Sequence, residues 1–260
     1  MAENANPAEQ DSLARTAPYE RHLSVVIPFY NEAENIDLVC REVHSVIEPH
    51  FAGRWELVMV NDGSRDGTGE AMRRVRREFP HMRAVHLRKN SGQSAALEAG
   101  FLHARGEFIA TLDGDGQNDP RDIPKLLEER AKRNVDMMCG IRAKRKDSFI
   151  RRFSSRTANR LRRAVLQDGI TDVGCSIRVF RRDCVDKIRF FRNAHRFFPA
   201  LFVMKGFTIA ETPVNHRPRA SGVSKYGLGI NSRLWVGIAD LLGVYWMRKR
   251  ALRYRTFEDP

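Results

Sequence analysis

The sequence is poor in cysteine and lacks a long uninterrupted apolar run. Its four cysteines show neither a paired framework nor the close spacing of a zinc site, which favours a reduced, cytosolic protein. The longest apolar stretch, residues 234–247, is interrupted by Asp240 and is shorter than the roughly 20 residues that a spanning helix needs. Residues 1–20 contain no apolar segment typical of a secretory signal, and we interpret them as a disordered tail. These absences argue against a disulfide-stapled secreted domain and against a membrane span.

Two glycine-rich phosphate-binding motifs are also missing. No G-x-G-x-x-G follows the first predicted strand, and no G-x-x-x-x-G-K-[ST] occurs in the chain. Their absence removes the main support for a dinucleotide-dependent oxidoreductase or a P-loop NTPase. An EF-hand is excluded at the acidic turn that begins at Asp113, because Asn118 occupies the sixth position, where that loop needs glycine.

Acidic residues are scarce in two parts of a chain whose formal net charge is +13. Residues 142–163 are dense in arginine and lysine with Asp147 as their acid, and residues 248–255 form a second basic cluster. Such patches attract the phosphates of nucleic acids, nucleotides or anionic lipids, and the charge alone does not distinguish these three classes of ligand. A nucleic-acid-binding protein is a remote alternative, because the first cluster offers only Phe149 and Phe153 for base stacking and no recognition module is present.

Buried-strand patterns alternate with helical patterns through the first half of the chain. The strands are predicted at Leu23–Phe29, Glu56–Asn61, Arg83–Leu87, Phe108–Leu112 and Val135–Cys139. The helices are predicted at Ala33–Glu48, Asp66–Phe79, Ser91–Ala104 and Pro120–Arg133. This alternation predicts an α/β fold with a mostly parallel sheet flanked by helices. Ligands of such sheets bind beyond the carboxyl ends of the strands.

The segment EFIATLDGDGQNDP, residues 107–120, carries an apolar strand directly into carboxylates. Asp113, Asp115 and Gln117 recur at spacing two, which turns three oxygen-bearing side chains to one side of an extended segment. Oxygen ligands of this kind suit Mg²⁺ or Mn²⁺. Acidic glycine-rich turns are also common at protein surfaces, but the preceding strand and the following helix favour a functional site.

Two further strand ends are polar, and we expect them to converge with the acidic turn on one crevice. Asp62 and Glu32 are candidates to accept hydrogen bonds from a ribose or a base, and Tyr30 to pack on the ring. The same residues also suit ordinary turns and helix caps. Farther along, HRPRASGVSKYG, residues 216–227, resembles a mobile loop that closes cations over an anion.

Residues 228–260 are interpreted as an amphipathic helix and a basic tail. Trp235, Tyr245 and Trp246 are flanked by arginine and lysine, a composition that suits a helix lying in a membrane interface. A helix that packs on the core explains the pattern equally well, and docking on a separate anchoring subunit is a third possibility.

Several motifs in order make the chain resemble family 2 glycosyltransferases of the dolichol-phosphate mannose synthase type, from Leu23 to about Tyr226. They are VVIPFYNEAENI, VNDGSRDGT, GQSAALEAGFLHARGEFIATLDGDGQNDP, ITDVGCSIRVFRR and HRFFPALFVMKGFTIAETPVNHRPRASGVSKYG. The resemblance implies a Rossmann-like GT-A domain at residues 21–227. It implies a dolichyl-phosphate β-D-mannosyltransferase-like hexosyltransferase, peripheral on the cytosolic face of a membrane, that moves one sugar from a nucleotide-sugar, GDP-mannose by default, to a polyprenyl phosphate.

The resemblance also implies roles for individual residues. The nucleotide-sugar site would be lined by Pro28, Tyr30, Glu32, Val60, Asp62, Asp113, Gly114 and Arg142. Asp113, Asp115 and Gln117 would hold Mg²⁺ or Mn²⁺. Asp115, Arg219 and Lys225 would be the catalytic set, and Arg151 or Arg152 would hold the acceptor phosphate. TDVGCSIR, residues 171–178, stands where many relatives carry a Gly-Phe-Arg ending, and this departure implies an altered acceptor pocket.

The expected reaction is a single displacement that inverts the anomeric centre. The attacking phosphate oxygen is largely anionic at neutral pH, so no general base is required, and His195 and His216 are not assigned that role. Two alternatives stay open: a UDP-sugar donor such as UDP-glucose, and a soluble family 2 enzyme with a non-lipid acceptor.

Overall fold

The computed structural model describes residues 19, 21–142, 162–218 and 230–252. The strands are β1 (Arg21–Phe29), β2 (Trp55–Asn61), β3 (Met82–His86), β4 (Gly106–Thr111), β5 (Met137–Arg142), β6 (Arg178–Arg181) and β7 (Ile209–Val214). The helices are α1 (Ile36–Phe51), α2 (Thr68–Glu78), α3 (Gln93–His103), α4 (Asp122–Lys132), α5 (Arg182–Asp186), α6 (Phe198–Met204) and α7 (Ile230–Lys249). Residues 194–196 form a 3₁₀ turn.

The strands form one sheet in the order β3-β2-β1-β4-β6-β5-β7. Strand β1 pairs in parallel with β2 and β4, and β5 pairs in parallel with β7. Strand β6 runs antiparallel between β4 and β5. The predicted mostly parallel sheet is therefore confirmed, with one reversed strand that the sequence reading did not contain.

Helices cover both faces of the sheet, which explains why β1 is apolar on successive residues. Leu23 and Val25 face a core layer shared with α1, α2 and α4. Val26 faces the opposite layer, which contains α3, α6 and part of α7. Successive side chains of a strand point to opposite faces, so a strand covered on both sides is apolar on successive residues, as at residues 25–27.

The predicted helices begin a few residues later in the structure because polar contacts occupy the preceding backbone. Before α1, the Asn31 N–H donates to Ser64 Oγ at 2.9 Å, and the Glu32 N–H donates to Thr68 Oγ1 at 2.9 Å. These bonds join the loop after β1 to the loop after β2. Helix α1 therefore begins at Ile36 rather than at Ala33.

Helix α7 has one face in the core and one face exposed. Val244 is fully buried, and Leu241 and Met247 pack against the same core layer. On the other side, Trp235 is 70% exposed and Trp246 is 59% exposed. Core packing and an exposed aromatic face therefore coexist on this helix. Among the described residues, no helix has the length and apolar character needed to cross a membrane.

Candidate active site

Polar residues from several strands meet at the carboxyl edge of the sheet, and we call this region the crevice. The ends of β1, β2 and β4 lead into Tyr30, Asp62 and Asp113. Strand β6 runs the other way, so its first residue, Arg178, also lies at this edge. The segment after β7 reaches the acidic turn through a bridge between Asn118 and His216. The predicted convergence of the strand ends is confirmed.

The acidic turn, residues 113–119, is held by side chains that the sequence reading did not single out. Asn118 Oδ1 accepts hydrogen bonds from the Asp113 N–H at 2.7 Å and from Ser176 Oγ at 2.9 Å. Gly114 lies against Phe29, and a Cβ at this glycine would approach the ring to 2.4 Å. The turn is therefore a packed part of the crevice and not a solvated loop.

The two carboxylates of the turn place negative charge close together in a sheltered position. Burial raises the pKa of Asp113, and the charge of Asp115 raises it further. A divalent cation would relieve this repulsion, and carboxylate oxygens are suitable ligands for Mg²⁺ or Mn²⁺. Asp113 Oδ1 also accepts a hydrogen bond from Gln93 at 3.0 Å. The donor set therefore fits the predicted metal.

Gln117, the third predicted metal ligand, lies beside the segment that follows β7. Its side-chain Nε2 donates to the Arg217 backbone carbonyl at 3.3 Å, and the Gln117 backbone carbonyl accepts the Arg217 N–H at 2.9 Å. Its own N–H donates to Asp115 Oδ1 at 3.1 Å. The structure thus brings Gln117 to Asp115, and its role as a metal ligand stays a prediction.

Two salt bridges made by Arg217 fix the segment after β7 to the acidic turn and to α1. Arg217 contacts Glu42 at 2.6 Å and Asp119 at 2.7 Å. Although burial opposes the effect, hydrogen bonds from Arg121 and Arg217 lower the pKa of Asp119 to about 2. These salt bridges join α1, the acidic turn and Arg217 near the start of the predicted closing loop. No local sequence pattern reveals these salt bridges, because Glu42 and Arg217 are 175 residues apart.

The side of the crevice that is predicted to bind the nucleoside is formed by the loops after β1 and β2. Asp62 is buried, and its carboxylate accepts the N–H groups of Ser91 at 2.7 Å and Gly92 at 3.0 Å. Burial raises the pKa of Asp62, and these two bonds oppose that shift. Asp62 thus shapes the loop before α3. Its predicted contact with a ribose stays a prediction.

The other predicted nucleoside residues differ in their exposure. Pro28, Tyr30 and Glu32 are half-buried near the crevice. Val60 is fully buried and packs in the core layer beneath α3. The structure therefore does not bring the Val60 side chain to the crevice surface.

Arg142, predicted to contact the diphosphate, forms a two-pronged salt bridge with Asp172. Its Nε donates to Asp172 Oδ2 at 2.8 Å, and its Nη2 donates to Oδ1 at 2.7 Å. A Cβ at Gly174 would lie 2.6 Å from Arg142 Nη2, so a side chain there would displace the guanidinium. The TDVG segment thus holds an arginine whose charge reaches Asp113.

A cavity of about 270 Å³ opens beside Asp113 on the β6 side, and we call it the β6-side cavity. Arg178, His195 and Arg196 are among its lining residues. Arg178 is buried and donates to the Val173 carbonyl at 3.1 Å. Burial, followed by the charges of Arg196 and Arg178, lowers the pKa of His195 to about 3. The cavity therefore carries positive charge on its arginines, whereas its imidazole is neutral.

The remaining predicted residues, Arg151, Arg152, Arg219 and Lys225, lie outside the described residues. Their roles stay predictions. Arg178 and Arg196 were not assigned by the sequence reading, although the departure at residues 171–178 pointed to the surrounding pocket.

A family model described as glycosyl transferase family 2 matches residues 24–189. The chain is 41% identical over 236 residues to a dodecaprenyl-phosphate galacturonate synthase of Rhizobium johnstonii, covering 88% of this chain and 68% of that protein. It is 35% identical over 211 residues to an undecaprenyl-phosphate 4-deoxy-4-formamido-L-arabinose transferase of Salmonella choleraesuis, covering 81% of this chain and 64% of that protein. The chain thus spans about two thirds of these relatives.

Solved structures support the fold. Glucosyl-3-phosphoglycerate synthase of Mycobacterium tuberculosis, crystallised with Mn²⁺, UDP and glucosyl-3-phosphoglycerate, superimposes with a TM-score of 0.64 at 16% identity, covering 90% of this chain and 81% of that one. A mannosyltransferase of Pyrobaculum calidifontis, crystallised with GDP-Man and Mn²⁺, gives 0.62 at 20% identity, covering 96% and 71%. The predicted GT-A fold is confirmed.

Proposed function

The chain belongs to glycosyltransferase family 2, and from this premise we propose that it transfers one sugar from a UDP-sugar to a polyprenyl phosphate. The observation that carries the proposal is the meeting of Asp113 and Asp115 with an arginine-lined cavity at the carboxyl edge of a GT-A sheet. The relative at 41% identity, named for a prenyl-phosphate acceptor, supports the same reaction class.

The crevice offers separate places for the two substrates. The loops after β1 and β2 would bind the nucleoside, and the acidic turn would lie against the diphosphate. A divalent ion bound by Asp113 and Asp115, with Gln117 as the third proposed ligand, would supply positive charge to the leaving diphosphate. Arg142 lies close enough to influence Asp113 and would add fixed positive charge at the same place. Arg219 and Lys225 are proposed to close over the diphosphate.

The β6-side cavity would receive the lipid phosphate, with Arg151 or Arg152 as further contacts. A phosphate monoester has a second pKa of about 6, so its oxygens carry the negative charge needed for attack at neutral pH. His195 is unsuited to remove a proton near neutral pH because its pKa is lowered to about 3. Its nitrogen Nδ1 is 2.8 Å from Ser94 Oγ, which favours a positioning role.

We propose a hexuronic acid as the transferred sugar. Neither of the two relatives is named for mannose, and the more similar one is named for galacturonate, so the GDP-mannose expectation receives no support from them. Arg178 and Arg196 in the β6-side cavity offer a counter-charge for an anion. A sugar carboxylate and an acceptor phosphate are both anions, so either could bind to these arginines.

A donor panel tests the proposal. UDP-galacturonate, UDP-galactose, UDP-glucose and GDP-mannose would each be supplied with undecaprenyl phosphate and Mg²⁺ or Mn²⁺, and the labelled sugar would be counted in the organic phase. We expect the highest kcat/KM with UDP-galacturonate. Highest turnover with GDP-mannose would restore the mannosyl assignment. Label that reaches only a water-soluble product would favour the non-lipid acceptor.

The substitution Arg178→Gln separates the two possible anions. If the arginine contacts the sugar carboxylate, the variant should lose the preference for UDP-galacturonate over UDP-galactose, because these donors differ only at C6, a carboxylate in the first and a hydroxymethyl group in the second. If it contacts the acceptor phosphate, the KM for undecaprenyl phosphate should rise equally with both donors. Arg192→Gln, at an exposed residue beside the same region, is the matched control.

The exposed face of α7 is proposed to contact the membrane that contains the acceptor. Its tryptophans and the exposed basic residues Lys249 and Arg250 combine apolar area with positive charge, which suits an anionic lipid surface. Binding to protein-free anionic vesicles would support this contact. Recovery with cell membranes but not with such vesicles would instead favour a separate anchoring subunit.

A further inference from the structure

Three metal-ligating side chains lie together at the amino-terminal edge of the sheet, opposite the crevice. His44 and Glu48 are one turn apart on α1, and His81 immediately precedes β3. One ligand atom from each residue lies within 4.8 Å of the other two. All three side chains are half-buried, so an ion from solution can reach them.

The two imidazoles already have nearly the spacing that a shared ion requires. His44 Nδ1 and His81 Nε2 are 3.1 Å apart. Two nitrogens that each bind tetrahedral Zn²⁺ at about 2.0–2.1 Å are separated by about 3.3 Å. An ion could therefore replace the contact between the rings after a small rotation of each.

The surroundings hold these ligands in place. Trp55 Nε1 donates to Glu48 Oε2 at 2.6 Å, and Trp55 is fully buried. The Leu57 N–H donates to the His81 carbonyl at 3.1 Å, which fixes the turn before β3 to β2. The His44 ring packs on Phe79 with the ring centres 4.5 Å apart. Hydrogen bonds and packing around metal ligands orient them and strengthen binding.

We propose that His44, Glu48 and His81 bind a zinc-class divalent cation, with water as the fourth ligand. Two imidazoles and a carboxylate are a donor set that suits Zn²⁺ better than Mg²⁺. The ion would tie α1 to the turn before β3 and stabilise the fold at the edge remote from the crevice. This inference is independent of the proposed transferase reaction.

Zinc titration of the tag-free full chain tests the site. After treatment with EDTA, the chain would be titrated with Zn²⁺ by calorimetry in excess Mg²⁺, which competes at the all-oxygen site of the crevice. We expect one Zn²⁺ per chain that raises the melting temperature. His81→Asn and Glu48→Gln should each weaken binding by at least about 10-fold. His50→Asn, at an exposed histidine of the same helix, should bind like the wild type.

Equal Zn²⁺ affinity in the wild type and in His81→Asn would overturn the proposal. X-ray absorption of the Zn²⁺-loaded wild type gives a decision that does not depend on the folding of a variant. Scattering from two imidazoles supports the site, and a shell of oxygen atoms alone overturns it.

Discussion

Single residues divide the crevice into groups that carry charge and groups that position them. Asp113 and Asp115 carry the negative charge, whereas Asn118 holds the Asp113 backbone at 2.7 Å and also accepts from Ser176. The sequence reading identified the charged pair, because carboxylates at the end of an apolar strand are conspicuous. It did not identify Asn118, because a polar residue within a turn is common and Ser176 is remote in the chain.

Asp115→Asn should separate chemistry from nucleotide binding. The amide can still accept the Gln117 N–H but lacks the charge proposed to hold the metal. We expect kcat to fall by about 100-fold or more, with nucleotide affinity falling by less than about 10-fold. Single-turnover kinetics and calorimetry with UDP measure the two quantities. The exposed Glu70→Gln on α2 is the control, and unchanged turnover in Asp115→Asn would remove the metal hypothesis.

His195 predicts a specific dependence of stability on pH. Its pKa is lowered to about 3 in the folded chain, against about 6.5 for an unperturbed imidazole. The unfolded state therefore binds more protons between these pH values, and the free energy of unfolding decreases as pH falls from about 6.5 towards 3.

Replacing this histidine should remove that part of the pH dependence. Between pH 7 and pH 5 the free energy of unfolding of the wild type should fall by about 2 kcal/mol because of His195. The His195→Asn variant should lack this part of the decrease. Urea unfolding at both pH values measures the difference. His103→Asn, at an exposed histidine, should behave like the wild type. An equal loss in His195→Asn and wild type would contradict the assignment.

At the scale of elements, periodicity predicted the central strands and helices because each buries a regular apolar face. It did not predict β6, which has four residues with arginine at both ends. That strand is defined by its neighbours, since it pairs antiparallel with both β4 and β5. The bidentate bond between Arg142 and Asp172 was missed for the same reason, because it joins parts of the chain that only the folded sheet brings together.

The two faces of α7 should separate membrane binding from stability. Replacing Trp235 and Trp246 together by serine removes exposed apolar area, so binding to anionic vesicles should fall by about 10-fold or more while the melting temperature stays unchanged. Val244→Ala should instead lower the free energy of unfolding by about 1–3 kcal/mol, because Val244 is fully buried, without changing vesicle binding. Co-sedimentation and thermal unfolding measure these effects. A joint loss in the tryptophan variant would mean that this face also stabilises the fold.

At the scale of the whole molecule, the two edges of the sheet serve different purposes. The carboxyl edge gathers carboxylates and arginines from β1, β2, β4 and β6 into the crevice. At the amino edge, the side chains of His44, Glu48 and His81 lie together. A parallel sheet permits this division because each βα connection returns the chain to the same starting edge.

The arrangement of the crevice leads to a prediction about stereochemistry. The loops proposed to bind the nucleoside lie on the β1 and β2 side of Asp113, and the β6-side cavity lies on its other side. A phosphate oxygen that approaches from this cavity would reach the sugar opposite the departing diphosphate. We therefore expect one displacement with inversion, so that an α-linked UDP-sugar yields a β-linked prenyl phosphate. Proton NMR of product quenched at early times measures the anomeric configuration, and retention would rule out the single displacement.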